Sequence, residues 1–123
     1  MAGEIITDAG LNQLAKLFSG RDTAYFAYIA LGTGTNGPSP SDTELESEVI
    51  RKPATVTIDG GKVTFKITIE PGELVDVNIT EVGLFNAESG GVLYYRKVRE
   101  QGLYFNEDVG ADVFVEITFS RGE

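Results

Sequence analysis

The chain predicts a mainly β fold: a compact antiparallel β-sandwich or barrel of about seven to eight strands with one N-terminal helix. Three observations lead there. Apolar and polar residues alternate over several short runs, 15 glycines in 123 residues supply frequent tight turns, and an apolar period of three to four residues occurs once, near the N-terminus. Hairpin-connected strands at this turn frequency characterise sandwiches and barrels. The length matches one domain, so residues 1–123 are read as a single β-rich unit without a linker or convincing repeat.

Residues 7–19 are expected to form the helix. Thr7 or Asp8 caps it, Leu11, Leu14, Leu17 and Phe18 recur at helical spacing, Gly20 stops it, and Asn12, Gln13 and Lys16 make its polar face. Residues 25–31 carry few polar groups and read as a central strand covered on both sides. After a Gly- and Pro-rich loop, Ser41 to Glu48 is expected to open one or two helical turns, with Ser41 capping and Leu45 and Val49 facing inward. Residues 54–58 and 62–69 alternate across Asp59-Gly60-Gly61 and form the clearest hairpin, with Val56, Ile58, Val63, Phe65, Ile67 and Ile69 on one face. Pro71-Gly72 ends it. A strand over 75–85 follows, with Val75, Val77 and Ile79 inward, and its end pairs with 92–98 across the loop from Asn86 to Gly91. Short strands over 103–105 and 113–119 flank the acidic loop 106–112 and complete the sheet.

Ten basic and nineteen acidic residues give a net charge of −9 and a pI near 4.4. Such a chain repels phosphate backbones and anionic lipid, so neither nucleic acid nor membrane is an expected partner. No histidine and no cysteine are present. That removes imidazole and thiolate metal sites, Ser-His-Asp and Cys-His catalysis, and disulfides. The start Met1-Ala2-Gly3-Glu4 has no basic or apolar leader, and no run approaches the roughly 18 apolar residues of a membrane span. A protein made in the cytoplasm, soluble unless released with a larger particle, is expected.

Gly32, Gly34 and Gly37 spell the glycine pattern of a dinucleotide site after an apolar run, but Pro38 and Pro40 stand where the phosphate-binding helix must begin. The segment Gly32, Thr33, Gly34, Thr35, Asn36 is therefore read as an ordered contact loop at the end of a sheet. Asp42, Glu44, Glu46 and Glu48 lack calcium-loop spacing and read as a solvated face. Asn106, Glu107, Asp108 and Asp112 offer oxygens to a hard cation without diagnostic spacing, and no cofactor or metal is expected. Glu70, Glu73, Glu81, Glu107, Asp108 and Glu116 could serve a histidine-free hydrolase only if two shared a cleft. Tyr94, Tyr95, Tyr104 and Phe105 fit either packing and self-contact or an aromatic platform for a surface glycan. Glu81 and Arg96 flank apolar runs on neighbouring strands and are read as a register-fixing ion pair.

Three segments together carry a resemblance: Ile6-Thr7-Asp8-Ala9-Gly10; Ile29 to Thr35 with Asp42 to Glu48 and Arg51; and Ile79 to Ala87 with Gly90 to Leu93 and Arg96. In this order, from about residue 5 to 119, they resemble tailed-bacteriophage virion proteins of the tail-fibre or minor structural type. The resemblance implies a non-enzymatic subunit, a homotrimer or higher ring, bound to other virion proteins and located in the virion. No stalk, repeat or receptor-binding tip follows the last strand, so a tail-fibre or baseplate adaptor, a collar component or a capsid decoration subunit is expected. The alternative is a carbohydrate-binding β-sandwich module.

Overall fold

A computed structural model describes residues 3–121. Its elements are β1 (Gly3–Ile6), α1 (Asp8–Phe18), β2 (Tyr28–Gly32), β3 (Glu48–Pro53), β4 (Thr55–Asp59), β5 (Lys62–Ile69), β6 (Val77–Phe85), β7 (Leu93–Phe105) and β8 (Ala111–Thr118). They form two antiparallel sheets, ordered β1-β7-β6-β2-β3 and β4-β5-β8. The eight strands pack as a sandwich, without closing into a barrel.

Period-two burial builds the core. Ile29 and Leu31 of β2, Ile79, Val82 and Leu84 of β6, and Tyr95 and Phe105 of β7 meet Phe65, Ile67 and Ile69 of β5 and Val113 and Val115 of β8. The outer face of the larger sheet is covered by its own loop: Leu45 packs on Ala30, Phe85 and Leu93. Thus β2 is an interior strand between β6 and β3, covered on both faces as its sequence predicts, while β6 holds the centre of the sheet.

The helix has the expected cap. Thr7 Oγ1 accepts the Gly10 N–H at 2.8 Å and donates to the Leu93 carbonyl at 2.5 Å, so one buried hydroxyl ends α1 and fixes it to β7. A side chain at Gly10 would lie 2.5 Å from the Tyr94 Cα, so glycine permits the close seat. The buried stripe differs from the expected one. Gln13 is buried and donates to Asp22 and to the Ala24 carbonyl, whereas Leu11 and Phe18 are exposed. The short loop after α1 folds back under the helix, and Gln13 supplies the donor that this backbone needs.

Several boundaries move for physical reasons. β2 starts at Tyr28, and Phe26, outside the strand, packs on Tyr94 with ring centroids 4.8 Å apart and planes tilted by 39°. The helical turns expected over 41–48 are absent; that segment is a bent loop whose amides bind side chains, and β3 begins at Glu48. The charged edge strands β1 and β3 carry little alternation, so their sequences give no strand signal. Val49 and Val75 are exposed. Asp76 takes a positive φ of 55°, which kinks the chain and delays β6 to Val77. The runs expected at 92–98 and 103–105 are one strand, β7, in which Val98 pairs with Glu81 and Leu103 with Ile79. Residues 99–102 therefore oppose Thr80 alone, as a bulged excursion.

Candidate functional site

The predicted loop and the predicted ion pair prove to be one structure. Glu81 lies on β6 with its carboxylate fully enclosed. Oε1 accepts from the Glu46 N–H at 2.9 Å and from Arg96 Nε at 3.0 Å; Oε2 accepts from the Gly34 N–H at 2.9 Å and the Ser47 N–H at 2.7 Å. Four donors thus compensate a buried negative charge, three of them backbone amides. Thr80, next in the strand, donates to the Gly34 carbonyl at 2.7 Å. Arg96 reaches onward to Asp42 Oδ2 at 3.1 Å, and its remaining Nη2 has no partner among the described residues.

The two loop glycines are explained by proximity. A Cβ at Gly32 would lie 2.4 Å from the Ser47 carbonyl oxygen, and one at Gly34 would lie 2.6 Å from Glu81 Oε2. Glu46 completes the wrap: its Oε1 accepts from the Thr35 and Asn36 amides at 2.8 and 3.1 Å, and its Oε2 accepts from the Asn36 side chain. These contacts hold the Glu46 carboxyl below the ordinary carboxylate range, led by the Asn36 amide. The loop amides that would cradle a phosphate are therefore held by the protein's own carboxylates. Thr33, Thr35 and Asn36 nevertheless face outward.

A second clamp stands beside this loop. Arg51 makes a two-point pair with Glu48 at 2.8 and 2.9 Å, donates to the Ala87 and Gly90 carbonyls, and lies 3.6 Å above the Phe85 ring. The loop from Asn86 to Gly91 is thereby tied to β3.

Tyr94 and Tyr95 sit elsewhere than a platform requires. They are 4% and 9% exposed, and burial raises the pKa of both, with Glu4 adding to the effect at Tyr95. The cause is a bulge: Leu84 pairs with Tyr95 and Phe85 with Leu93, so the extra Tyr94 turns inward with Tyr95. Neither ring offers a face to sugar. Among the described residues, no group of three or more acidic side chains could hold a metal ion, and no helix is long and apolar enough to cross a membrane.

What the sequence reading missed is an apolar groove where α1 approaches the smaller sheet. Leu14, Leu17, Tyr25, Val56, Ile117 and Phe119 line a hollow of about 290 Å³, floored by Phe65, Leu84 and Tyr94. A second hollow of about 600 Å³, between Leu11, Phe18 and Phe119, adjoins it. Phe18 is 95% exposed, Tyr25 70% and Phe119 51%. Two polar edges stop short of covering this face: β4 is an edge strand, and α1 buries Gly10 and Gln13 instead of Phe18. The signal was present in Val56 and Ile58, which the sequence places on the hairpin's apolar face and the structure leaves exposed, and in two phenylalanines placed at element ends.

Comparison with protein-family models, with curated proteins and with solved structures finds no match.

Proposed function

We propose that the chain is a non-enzymatic structural subunit of a tailed phage or phage-like particle, which binds copies of itself and other virion proteins as a tail-fibre or baseplate adaptor or as a capsid decoration subunit. The observation that carries this reading is the groove. A contiguous apolar face with a phenylalanine 95% exposed destabilises a free monomer's solubility and serves association. The remainder of the chain fits the same task. Its loops are fastened by buried ionic networks, and Glu81, one of the carboxylates that a hydrolase could use, is sealed by four donors. The resemblance to virion proteins supplies the particle; the groove supplies the reason to bind one.

The test is the composition of particles. Density-purified particles from the producing host are expected to contain this chain in fixed ratio to the major structural protein, by quantitative mass spectrometry. A chain confined to the soluble fraction, away from particles, would falsify the reading.

A further inference from the structure

Asn36-Gly37 is the one Asn-Gly step in the chain, and both residues are exposed in the loop after β2. The loop is pinned on either side of it. Upstream, Glu81 Oε2 accepts the Gly34 N–H; downstream, the Ser39 N–H donates to Asp42 Oδ2 at 2.9 Å and the Pro40 carbonyl accepts the Asp8 N–H at 2.8 Å. Between these pins, Asn36 is tied to Glu46 by its backbone N–H at 3.1 Å and by its side-chain NH2, whereas the Gly37 N–H makes no hydrogen bond among the described residues. An exposed, unbonded backbone nitrogen on a residue without a Cβ is the least hindered nucleophile that a chain can offer to the side-chain amide before it. The other asparagines are each followed by a residue with a side chain and are fixed differently. Asn12 lies in α1 and Asn78 in β6, while the side-chain oxygens of Asn86 and Asn106 accept the Val92 and Asp108 N–H groups.

We propose that Asn36-Gly37 is a self-modification site: the Gly37 nitrogen displaces ammonia from the Asn36 side chain, and the carboxylate that results frees Glu46 and loosens the outer wrap of the loop. The Gly37 nitrogen gives its proton to a solvent base as its bond to Asn36 Cγ forms. The Cγ–Nδ2 bond then breaks, and the leaving nitrogen takes a proton from water and departs as ammonia, which leaves a cyclic succinimide. Water opens the ring at either carbonyl. Opening at Cγ gives aspartate at this position; opening at the main-chain carbonyl gives isoaspartate, whose backbone runs through the side chain. Either product sets a carboxylate where the NH2 donor had faced Glu46. The Glu46 carboxyl is held below the ordinary range, first by the Asn36 amide, so it is ionised at neutral pH and the two like charges repel. The ties from Glu46 Oε1 to the Thr35 and Asn36 amides weaken as that side chain moves away. The Glu81 cradle beneath holds Gly34, Glu46 and Ser47 by their backbone amides and stays closed. Loss of ammonia makes the change one-way.

Ageing the full chain in mildly alkaline buffer and mapping its peptides by mass spectrometry tests this. Asn36 is expected to convert ahead of every other asparagine, to a mixture of aspartate and isoaspartate, the mark of a ring opened from both sides. Gly37→Ala sets a methyl beside the nucleophile and should slow conversion by about tenfold, a barrier change on the scale of one crowded contact. The aged form carries an added negative charge, so ion exchange separates it without any substitution. In that form, amide hydrogen exchange at Thr35 and position 36 should rise by about tenfold, the weight of one hydrogen bond to a charged group, while Gly34, Glu46 and Ser47 stay protected. Asn36→Asp should reproduce the same exchange pattern in fresh protein. Conversion led by another asparagine, aspartate formed without isoaspartate, or Gly37→Ala converting at the wild-type rate overturns the site. Exchange unchanged in both the aged form and Asn36→Asp overturns the loosening of the loop.

Discussion

Glu81 Oε2 accepts the backbone N–H of Gly34, 47 residues earlier in the chain, at 2.9 Å. The bond joins the middle of β6 to the first turn of the loop after β2, and the same carboxylate also holds Glu46 and Ser47 at the loop's return. A loop of 15 residues between Gly32 and Glu48 is thus closed at both ends by one side chain. Without it, three amides and a guanidinium would face a dry interior.

Replacement of Glu81 follows directly. Glu81→Gln keeps the shape but turns an NH2 toward two of the four donors, whichever way the amide rotates. We expect a loss of about 3–5 kcal/mol in urea unfolding, the scale of a broken buried ion pair. Arg96→Met should cost less, because three backbone donors remain on Glu81. The reverse ranking would mean that the ion pair, and not the amide cradle, organises the loop.

The glycines of the loop give an independent check. Gly34→Ala would press a methyl to 2.5 Å from Glu46 Cβ, and Gly32→Ala to 2.4 Å from a backbone oxygen. Each is expected to destabilise by about 1–3 kcal/mol, the cost of overpacking, with Gly32→Ala worse because backbone yields less than a carboxylate. Equal midpoints for wild type and Gly32→Ala would contradict the geometry.

The residues of this network were visible in the sequence, but not their relationship. Alternation and turn glycines reveal β5 and β8 because those strands bury one face, whereas β6 is buried on both faces from Ile79 to Phe85 and shows as an apolar run from Val82. β1 and β3 escaped because edge strands with charged side chains lack that period, and β7 looked like two strands because its bulge at residues 99–102 breaks it. Glu81 and Arg96 were recognisable as partners on adjacent strands. That the partner of Glu81 is chiefly the backbone of the glycine loop was not, since amide donors carry no residue identity. The tyrosines misled for a related reason: one extra residue at Tyr94 reverses the face of everything after it, and periodicity alone cannot locate a bulge.

Arg51 should tolerate no substitution that keeps only its charge. Its guanidinium serves Glu48 with two donors, two loop carbonyls with a third, and the Phe85 ring with its face. Lysine supplies a point charge without the fork or the stack. Arg51→Lys is expected to lower stability by about 1.5–3 kcal/mol and to raise amide hydrogen exchange from Asn86 to Gly91 selectively. Uniformly changed exchange across all strands would show that the clamp is not local.

The pH response should have two edges with different owners. Hydrogen bonding depresses the carboxyls of Asp22, led by Gln13, of Glu46, led by the Asn36 amide, and of Glu73, led by Lys52. A group more acidic when folded stabilises fully above its unfolded value, here 3.8 for Asp and 4.5 for Glu, and loses that contribution as pH falls through the folded value. Stability should therefore be level at neutral pH and decline below about pH 4.5, and Glu46→Gln should flatten the decline. The buried Tyr94 and Tyr95 act oppositely: their folded values are raised, so their neutral forms stabilise below the unfolded value of 10.0 and that support fades only in stronger alkali. Because Tyr95 also donates to Glu4 at 3.2 Å, Tyr95→Phe should unfold at higher pH than the wild type while losing some stability at pH 7. Thermal melts across the acid and alkaline limbs separate the two, and an alkaline midpoint unmoved by Tyr95→Phe would exclude the phenol as its source.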